Sequence, residues 1–322
     1  MNEQKRIRGI AWAVTLLGFL FPGIATVQAQ EYPAKPITML YGSSPGGSHD
    51  LTFRALTTVA QKYLGQPIVI ETKSGGGGAI ATEIAAKAKP DGYTLLIGGP
   101  GWNTTMPAVE GRSKGPDDML GVCRINYSPV ILVARPDAPY KTFKEMLAWA
   151  KAHPGKLIYG STGTWKTTDL AWRLILLETG IDTKNIPYEG GSKGVMALLG
   201  GHIDVHGVFP PTIISHIKAG KVRPLLILDE KRHPDFPDVP TGKEAGIKTV
   251  VYNWRGVMAP KGTPRPIVDR LAAAFKKMTE EKSVISTIDS FGDDIQYMGP
   301  DEFNKFWRDE FNTQKEIARK LK

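Results

Sequence analysis

Residues 42–46 read Gly-Ser-Ser-Pro-Gly and match G-x-S-x-G, the turn on which serine hydrolases expose a nucleophile between a strand and a helix. Ser44 would be the attacking group. That chemistry needs an oxyanion hole, and one of its donors is the backbone N–H of the residue after the serine. Here that residue is Pro45, which has no N–H. The motif also follows the first strand of the mature chain, with no earlier strand or HGG-type loop to supply a second donor. The stretch therefore reads as a loop that holds a ligand, with a Ser44 hydrolase as the competing class.

Three other stretches suggest chemistry and fail on detail. GSTGTWKT, residues 160–167, ends in the Lys-Thr of a phosphate loop, but the glycine required before that lysine is Trp165, whose bulk blocks the backbone's approach to a phosphate. The glycine run 75–78 has neither a G-x-G-x-x-G pattern after the first strand nor a suitably placed acid after the second, so dinucleotide binding is not expected. His202 and His206 are four apart, yet the intervening IDV reads as strand, where that spacing gives no compact chelate. Neither metal nor cofactor is expected.

The elements that must position such loops follow one grammar. Short β-branched runs alternate with amphipathic stretches at intervals of roughly 30 residues, the pattern of βαβ units on a parallel sheet. PITMLYG, IVIET and TLLIGG are predicted strands of a first lobe; PVILVA, LIYG, NIPY, HIDVHGV and VRPLLIL continue in a second. In TFKEMLAWAKAHPG, Thr142 and Glu145 have the spacing of a capping box and Pro154-Gly155 ends the helix. A Pro-rich segment over 233–240 interrupts the pattern, and WRGVMAP then leads to two C-terminal helices near 266–277 and 301–320. The expected organisation is lobe 1 over 30–130, lobe 2 over 131–252, and a return to lobe 1 over 253–322. SSPGGS, SGGGGA, GSTGTWKTT and EGGSKG each follow a strand and precede a helix, so four helix N-termini, which favour anions, are expected to face one cleft.

The chain has 322 residues, 41% of them hydrophobic, enough to bury a core without the help of disulfides; its only cysteine is Cys123. Lys5, Arg6 and Arg8 precede the apolar run 10–24, which contains Pro22, and Val27-Gln28-Ala29 suits a signal-peptidase cut. Residues 1–29 are read as a cleaved signal peptide, because the run is shorter than the ~20 residues a membrane span needs. Removing them takes two from the formal net charge of +9, leaving +7. Lys and Arg are scattered, without a stripe interleaved with aromatics, so the basic balance reads as a solvated surface and no nucleic-acid partner is expected.

The order and spacing of EYPAKPITMLYGSSPGGSHDLTFRAL, LGQPIVIETKSGGGGAIATEIAAKAKPDGYTLLIG, AKAHPGKLIYGSTGT, IPYEGGSKGVMALLGGHIDV, HIKAGKVRPLLIL, PDVPTGKEAGI and WRGVMAPKGTP resemble the Bug family, the solute-binding receptors of tripartite tricarboxylate transporters. The resemblance runs through the whole mature chain. It implies an α/β, two-lobed periplasmic binding protein fold of the Venus flytrap, type II-like kind, each lobe a mostly parallel sheet flanked by helices. It implies a periplasmic monomer that performs no chemistry, captures a small organic carboxylate (a di- or tricarboxylate or an aromatic carboxylate), and passes it to the large and small membrane subunits of a transporter. A receptor feeding a sensor system is an alternative.

By that resemblance the ligand-facing residues on one lobe are Ser43, Ser44, Gly46, Gly47, Ser48, Gly77 and Gly78. On the other they are Ser161, Thr162, Gly163, Thr164, Tyr188, Gly190, Gly191 and Ser192, with Asp204 and Phe209 on the HIDVHGVF segment. Ser48 and Ser192 could instead be simple helix N-caps. Two departures bear on the ligand. Val208 stands where many members have a second acid able to take an ammonium group, which counts against an amino acid. Trp102, with Asn103 beside it, stands where small polar residues are usual, and Trp165 lies in the facing loop; the two indoles could stack on a flat ring, which would suit an aromatic carboxylate, or could simply pack the lobes. Lys166 and Arg255 are possible carboxylate partners.

Overall fold

The computed structural model describes residues 32–248 and 251–321, and the leader expected over 1–29 lies outside them. In chain order come β1 (Ile37–Tyr41), α1 (Ser48–Thr57), α2 (Ala60–Leu64), β2 (Ile68–Thr72), α3 (Ala79–Ala86), β3 (Thr94–Gly98) and α4 (Met106–Glu110). A 16-residue strand, β4 (Met119–Ala134), follows. Then come α5 (Phe143–Ala152), β5 (Leu157–Ser161), α6 (Thr167–Thr179), β6 (Thr183–Pro187), α7 (Gly191–Leu199), β7 (Val205–Val208), α8 (Pro210–Lys218) and β8 (Arg223–Leu228). The chain ends with β9 (Tyr252–Pro260), α9 (Arg265–Thr279), α10 (Lys282–Ser290) and α11 (Pro300–Leu321). No helix among the described residues is long and apolar enough to cross a membrane.

The strands form one connected sheet in the order β2-β1-β3-β9-β4-β7-β5-β6, with β8 also on β4. Its two halves share β4. Met119–Pro129 of that strand pairs antiparallel with β9, and Val130–Ala134 pairs antiparallel with β7 and β8. Each half carries three parallel strands, β2-β1-β3 in the first and β6-β5-β7 in the second.

Period-two alternation explains how the second half of β4 serves two layers. Val130, Leu132 and Ala134 pack with Phe143 of α5 and Trp172 of α6, while Ile131 and Val133 pack with Val195 and Leu198 of α7 and Ile213 of α8. At the other end α11 lays Phe303 and Trp307 against Leu40, Leu96, Met119 and Trp254. Thr142 caps α5 as its spacing requires, accepting from the Glu145 N–H at 3.2 Å, and the Glu145 carboxylate accepts from the Lys141 N–H at 2.7 Å.

Several elements differ from the sequence reading: β4 begins at Met119 rather than at PVILVA, and α4 and α8 have no counterpart in it. The helical pattern after β1 breaks at Thr58 and Val59, where Thr58 turns its hydroxyl onto the Ala55 carbonyl, and becomes α1 and α2. α10 is an additional C-terminal helix; its β-branched Val284, Ile285, Thr287 and Ile288 hide its period in sequence.

Where β4 and β9 cross between the halves, Arg255 is fully buried. Its guanidinium meets Asp293 at 2.7 Å, Asn126 Oδ1 at 3.0 Å and Ser128 Oγ at 2.6 Å, and Ser128 donates to Asp293 at 2.5 Å. The expected carboxylate partner Arg255 is thus already neutralised within the fold.

His206 has a packing role. Its Nδ1 lies 2.7 Å from the Gly160 carbonyl, and its ring fills the space where a Cβ on Gly194 would stand, at 2.3–2.4 Å, so α7 rests directly on β7. Burial lowers its pKa from 6.5 to about 4. The unfolded chain therefore takes up a proton that the folded chain refuses as pH falls from 6.5 to 4, and the His206 contribution to stability drops across that window by about 3 kcal/mol. Buried Glu310, raised to about 7, acts in the opposite sense over the same window, so the measure is the difference between wild type and His206→Gln in urea unfolding at pH 7 and pH 4, expected to change by about that amount.

Candidate functional site

The cleft is framed by a loop used twice. After β1, Gly46 adopts φ +74° and Gly47 caps α1 at φ −74°, ψ 164°; after β5, Trp165 adopts φ +55° and Lys166 caps α6 at φ −80°, ψ 170°. In each loop an aspartate at the third helical position turns back to accept the N–H two residues before the helix: Gly46 to Asp50 at 2.9 Å and Trp165 to Asp169 at 2.8 Å. An arginine one turn on holds that carboxylate, Arg54 at 2.8 Å and Arg173 at 2.9 Å. The signal was present in sequence as DLTFR and DLAWR, and sequence reasoning missed it. Trp165 is the non-glycine counterpart of Gly46, which explains a backbone conformation that a bulky residue rarely adopts.

The helices α1, α6 and α7 have no side-chain cap on their N-termini, and Ser48, Thr167 and Gly191, their first residues, all line the cleft cavity. Their first N–H groups and positive dipole ends are thus turned to one place. Lys166 is 4% exposed and lines the same cavity; its Nζ lies 5.3 Å from the centroid of the Trp102 ring. Burial lowers its pKa to about 8, offset in part by Glu189. Burial, Arg255 and Lys166 lower the pKa of His49, which keeps its ring neutral. No lining residue carries a carboxylate.

The halves are closed. Ser44 Oγ donates to the Glu189 carbonyl, and Thr167 Oγ1 and Asn253 Oδ1 are 3.4 Å apart. The volume left in the cleft is about 30 Å³, room for about two waters, so a carboxylate could enter only if the halves parted. A wider cavity of about 620 Å³ elsewhere has Asp229, Glu230, Asp235, Asp289, Asp293 and Asp294 in its wall against Lys231 and Arg232, an acidic excess that makes it the poorer place for an anion.

Of the residues expected at the ligand, Ser43, Gly47, Ser48, Trp102, Thr162, Gly190, Gly191 and Phe209 line the cavity. Neither Ser48 nor Ser192 is an N-cap; Gly47 and Gly190 hold those positions, and the Ser192 hydroxyl faces Gly46 across the cleft. Gly46 and Thr164 are exposed at the rim, and Ser44 is taken up by Glu189. Gly77 and Gly163 flank the Lys166 stem, with its Cε 3.8 Å and 3.0 Å from where their Cβ atoms would be.

The loop SGGGGA does not reach the cavity, because the Trp102 indole lies on Gly78, 3.1 Å from an ideal Cβ there, and closes it off. Asn103 is turned away, bonding the Gly99 N–H and the Lys114 carbonyl. Ser161 and Tyr188 lie behind the lining, joined by a backbone bond of 2.9 Å. Asp204 precedes β7 and accepts from the Ile158 N–H at 2.9 Å, at the amino edge of the strands and away from the cleft. Val208 is fully buried in the core behind Gly191.

Trp165 gives a ring face to the Arg173 guanidinium at 4.1 Å and does not line the cavity. Trp102 has Gly78 against it, Lys166 over it and His49 at 4.8 Å. A pair of free stacking faces is therefore not formed. Sequence reasoning missed Tyr41, His49, Thr212 and Asn253 as lining residues, and left Lys166 outside its set.

Residues 52–322 match the family described as tripartite tricarboxylate transporter family receptor. The chain belongs to that family. A Cupriavidus necator relative, "UPF0065 protein in gbd 5'region", is 36% identical to this receptor over 97% of the chain and 95% of its own length. The periplasmic binding protein BugD superposes with a TM-score of 0.85 at 27% identity, covering 90% of this chain and 98% of BugD. MatC from Rhodopseudomonas palustris with bound malate superposes with a TM-score of 0.84 at 29% identity, covering 89% and 100%. The fold is the mixed α/β fold of these periplasmic binding proteins.

Gly190 marks how closely the halves of this receptor approach. Its φ is +102°, and a Cβ there would stand 2.9 Å from Ser43 Oγ. Gly190→Ala is expected to wedge the cleft, raising the radius of gyration in small-angle scattering. Gly180→Ala, at φ +67°, ψ 16° with open space around it, carries about 1–2 kcal/mol of backbone strain without a new contact and should leave the radius unchanged.

Proposed function

We propose that this receptor is exported to the periplasm, with a leader cut near Ala29, and acts as a monomer that closes on a small organic carboxylate. It then delivers that ligand to the large and small membrane subunits of a tripartite tricarboxylate transporter. Residues 30–130 with 253–322 form one lobe and 131–252 the other, hinged where β4 and β9 cross. The observation that carries this reading is the convergence of three uncapped helix N-termini and the Lys166 ammonium on a cavity without a carboxylate. The malate held by MatC is consistent with it.

The Ser43 and Ser48 hydroxyls and the first-turn N–H groups of α1, α6 and α7 are offered to the ligand, and Trp102 and Phe209 exclude water; Gly47, Thr162 and Gly190 shape the wall, their own N–H groups being bonded to the Ser44 carbonyl, Thr168 Oγ1 and the Tyr188 carbonyl. The occupied indole faces favour an aliphatic acid over an aromatic one. Ligand binding draws the population to the closed form because the two sets of donors meet only there. The hydrolase alternative gains no support: Ser44 Oγ donates to a carbonyl, and among the described residues no imidazole accepts from it.

A thermal-shift screen of succinate, malate, citrate, adipate and benzoate tests the assignment. At a hundred times its Kd, an aliphatic acid should add about 2.7 kcal/mol of stability, raising Tm by about 4 °C for a chain of this size, with no shift from benzoate. Stabilisation by none of the acids, or ester turnover lost in Ser44→Ala, would sink the reading.

A further inference from the structure

We propose that Lys166 sets the charge selectivity of the cleft: its ammonium takes a carboxylate group of an anion that carries no amino group. This rests on the receptor reading above and goes beyond it by naming one residue and one excluded ligand class.

The ammonium is the feature of the site that most needs a partner. Lys166 is 4% exposed, and among the described residues its Nζ has no hydrogen-bond acceptor and no ion pair; its contact is the Trp102 ring at 5.3 Å. A buried charge without a counter-ion is costly, so an anion arriving beside it gains more than one arriving at a solvated lysine.

The side chain is also held in place. Its Cγ lies 3.0 Å from the position of a Cβ at Gly101, and its Cδ and Cε lie 3.0 Å from that of a Cβ at Gly163. A Cβ at either position would press on the stem and force it to shift by a few tenths of an ångström. Thr212 Oγ1, Asn253 Nδ2 and His49 Nε2 are buried lining atoms that lack partners, so polar groups stand ready around the charge.

An α-ammonium would find the reverse. No lining residue offers a carboxylate, and Lys166 would repel it. The titratable and charged groups around Lys166 are few. Glu189 is paired with Lys193 at 2.9 Å, His49 stays neutral, and Arg255 behind His49 is held by Asp293.

With the free ammonium titrating at about 8, a bound carboxylate raises its pKa, and binding takes up a proton above that pH. Affinity is therefore level below pH 8 and falls above it.

Isothermal titration calorimetry of wild type and Lys166→Met, with malate, succinate, adipate and aspartate at pH 7 and pH 9, tests the proposal. The wild type is expected to bind the best of the first three at least a hundredfold more tightly than aspartate, and to lose about tenfold between pH 7 and pH 9. Lys166→Met is expected to bind that acid at least thirtyfold more weakly, without the pH dependence, and to melt no lower than wild type because it removes an unpaired buried charge. Equal binding by Lys166→Met, wild-type binding of aspartate as tight as of malate, or a lower melting temperature for the variant would each overturn the inference and leave the receptor reading intact. Failure of the wild type to bind any of the four acids would overturn both.

Discussion

At the start of both α1 and α6 an aspartate at the third helical position bonds an N–H two residues before the helix, and that bond determines what the cleft can do. A carboxylate there is favourable in any case, because it lies at the positive end of the helix dipole. By turning back onto its own loop, it fixes the loop in its left-handed bend at Gly46 and Trp165, and the N-caps that follow, Gly47 and Lys166, carry no side-chain acceptor. The cost of that bend at a tryptophan, about 1–2 kcal/mol, is offset by Asp169, which also holds Arg173, and by the Arg173 guanidinium stacked on the indole. The N–H groups of the first turn are then free for a ligand, and the residue at the N-cap points where its neighbour across the cleft can meet it.

The sheet topology brings these loops face to face. β4 is long enough to serve both halves, and the change of its partners between Pro129 and Val130 is the natural place to bend. The buried Arg255–Asp293 pair sits beside this point with Ser128 and Asn126. Breaking such a pair exposes an uncompensated charge at about 3–5 kcal/mol, so opening must turn about the network without separating it. Opening the cleft would break the Ser44–Glu189 and Thr167–Asn253 bonds and lift the Lys166 stem from Gly101 and Trp102.

Much of this was legible in the sequence, and the misses have physical causes. Strand, glycine-rich loop and helix recur in order, so the residues whose backbone lines the cavity, such as Gly47, Thr162, Gly190 and Gly191, could be read from local pattern. Side-chain direction could not. Gly78 follows a strand just as Gly47 does, but the π turn at Gly101–Thr105 drops the Trp102 indole over it. Asp204 lies four residues before Val208, a distance of about 13 Å along a strand, so one segment carries residues at opposite edges of the sheet. Asn253 and Thr212 come from the crossover and from α8, where no local motif announces a ligand contact.

The two loops differ in one respect that gives the site a direction. At corresponding N-cap positions, with nearly the same backbone angles, one half has Gly47 and the other Lys166. The first offers a bare helix end, equivalent to about half a positive charge; the second sends a full charge across the cleft, to lie beside Trp102. An anion with two unequal termini should therefore place its more highly charged group beside Trp102, where the ammonium lies, rather than at the end of α6 itself. Because the Lys166 stem crosses the cleft to rest on Gly101 and Trp102, the same side chain that attracts the ligand also bridges the two halves. A ligand that engages the ammonium must share that space with the stem, which favours short acids and couples charge recognition to closure through a single residue.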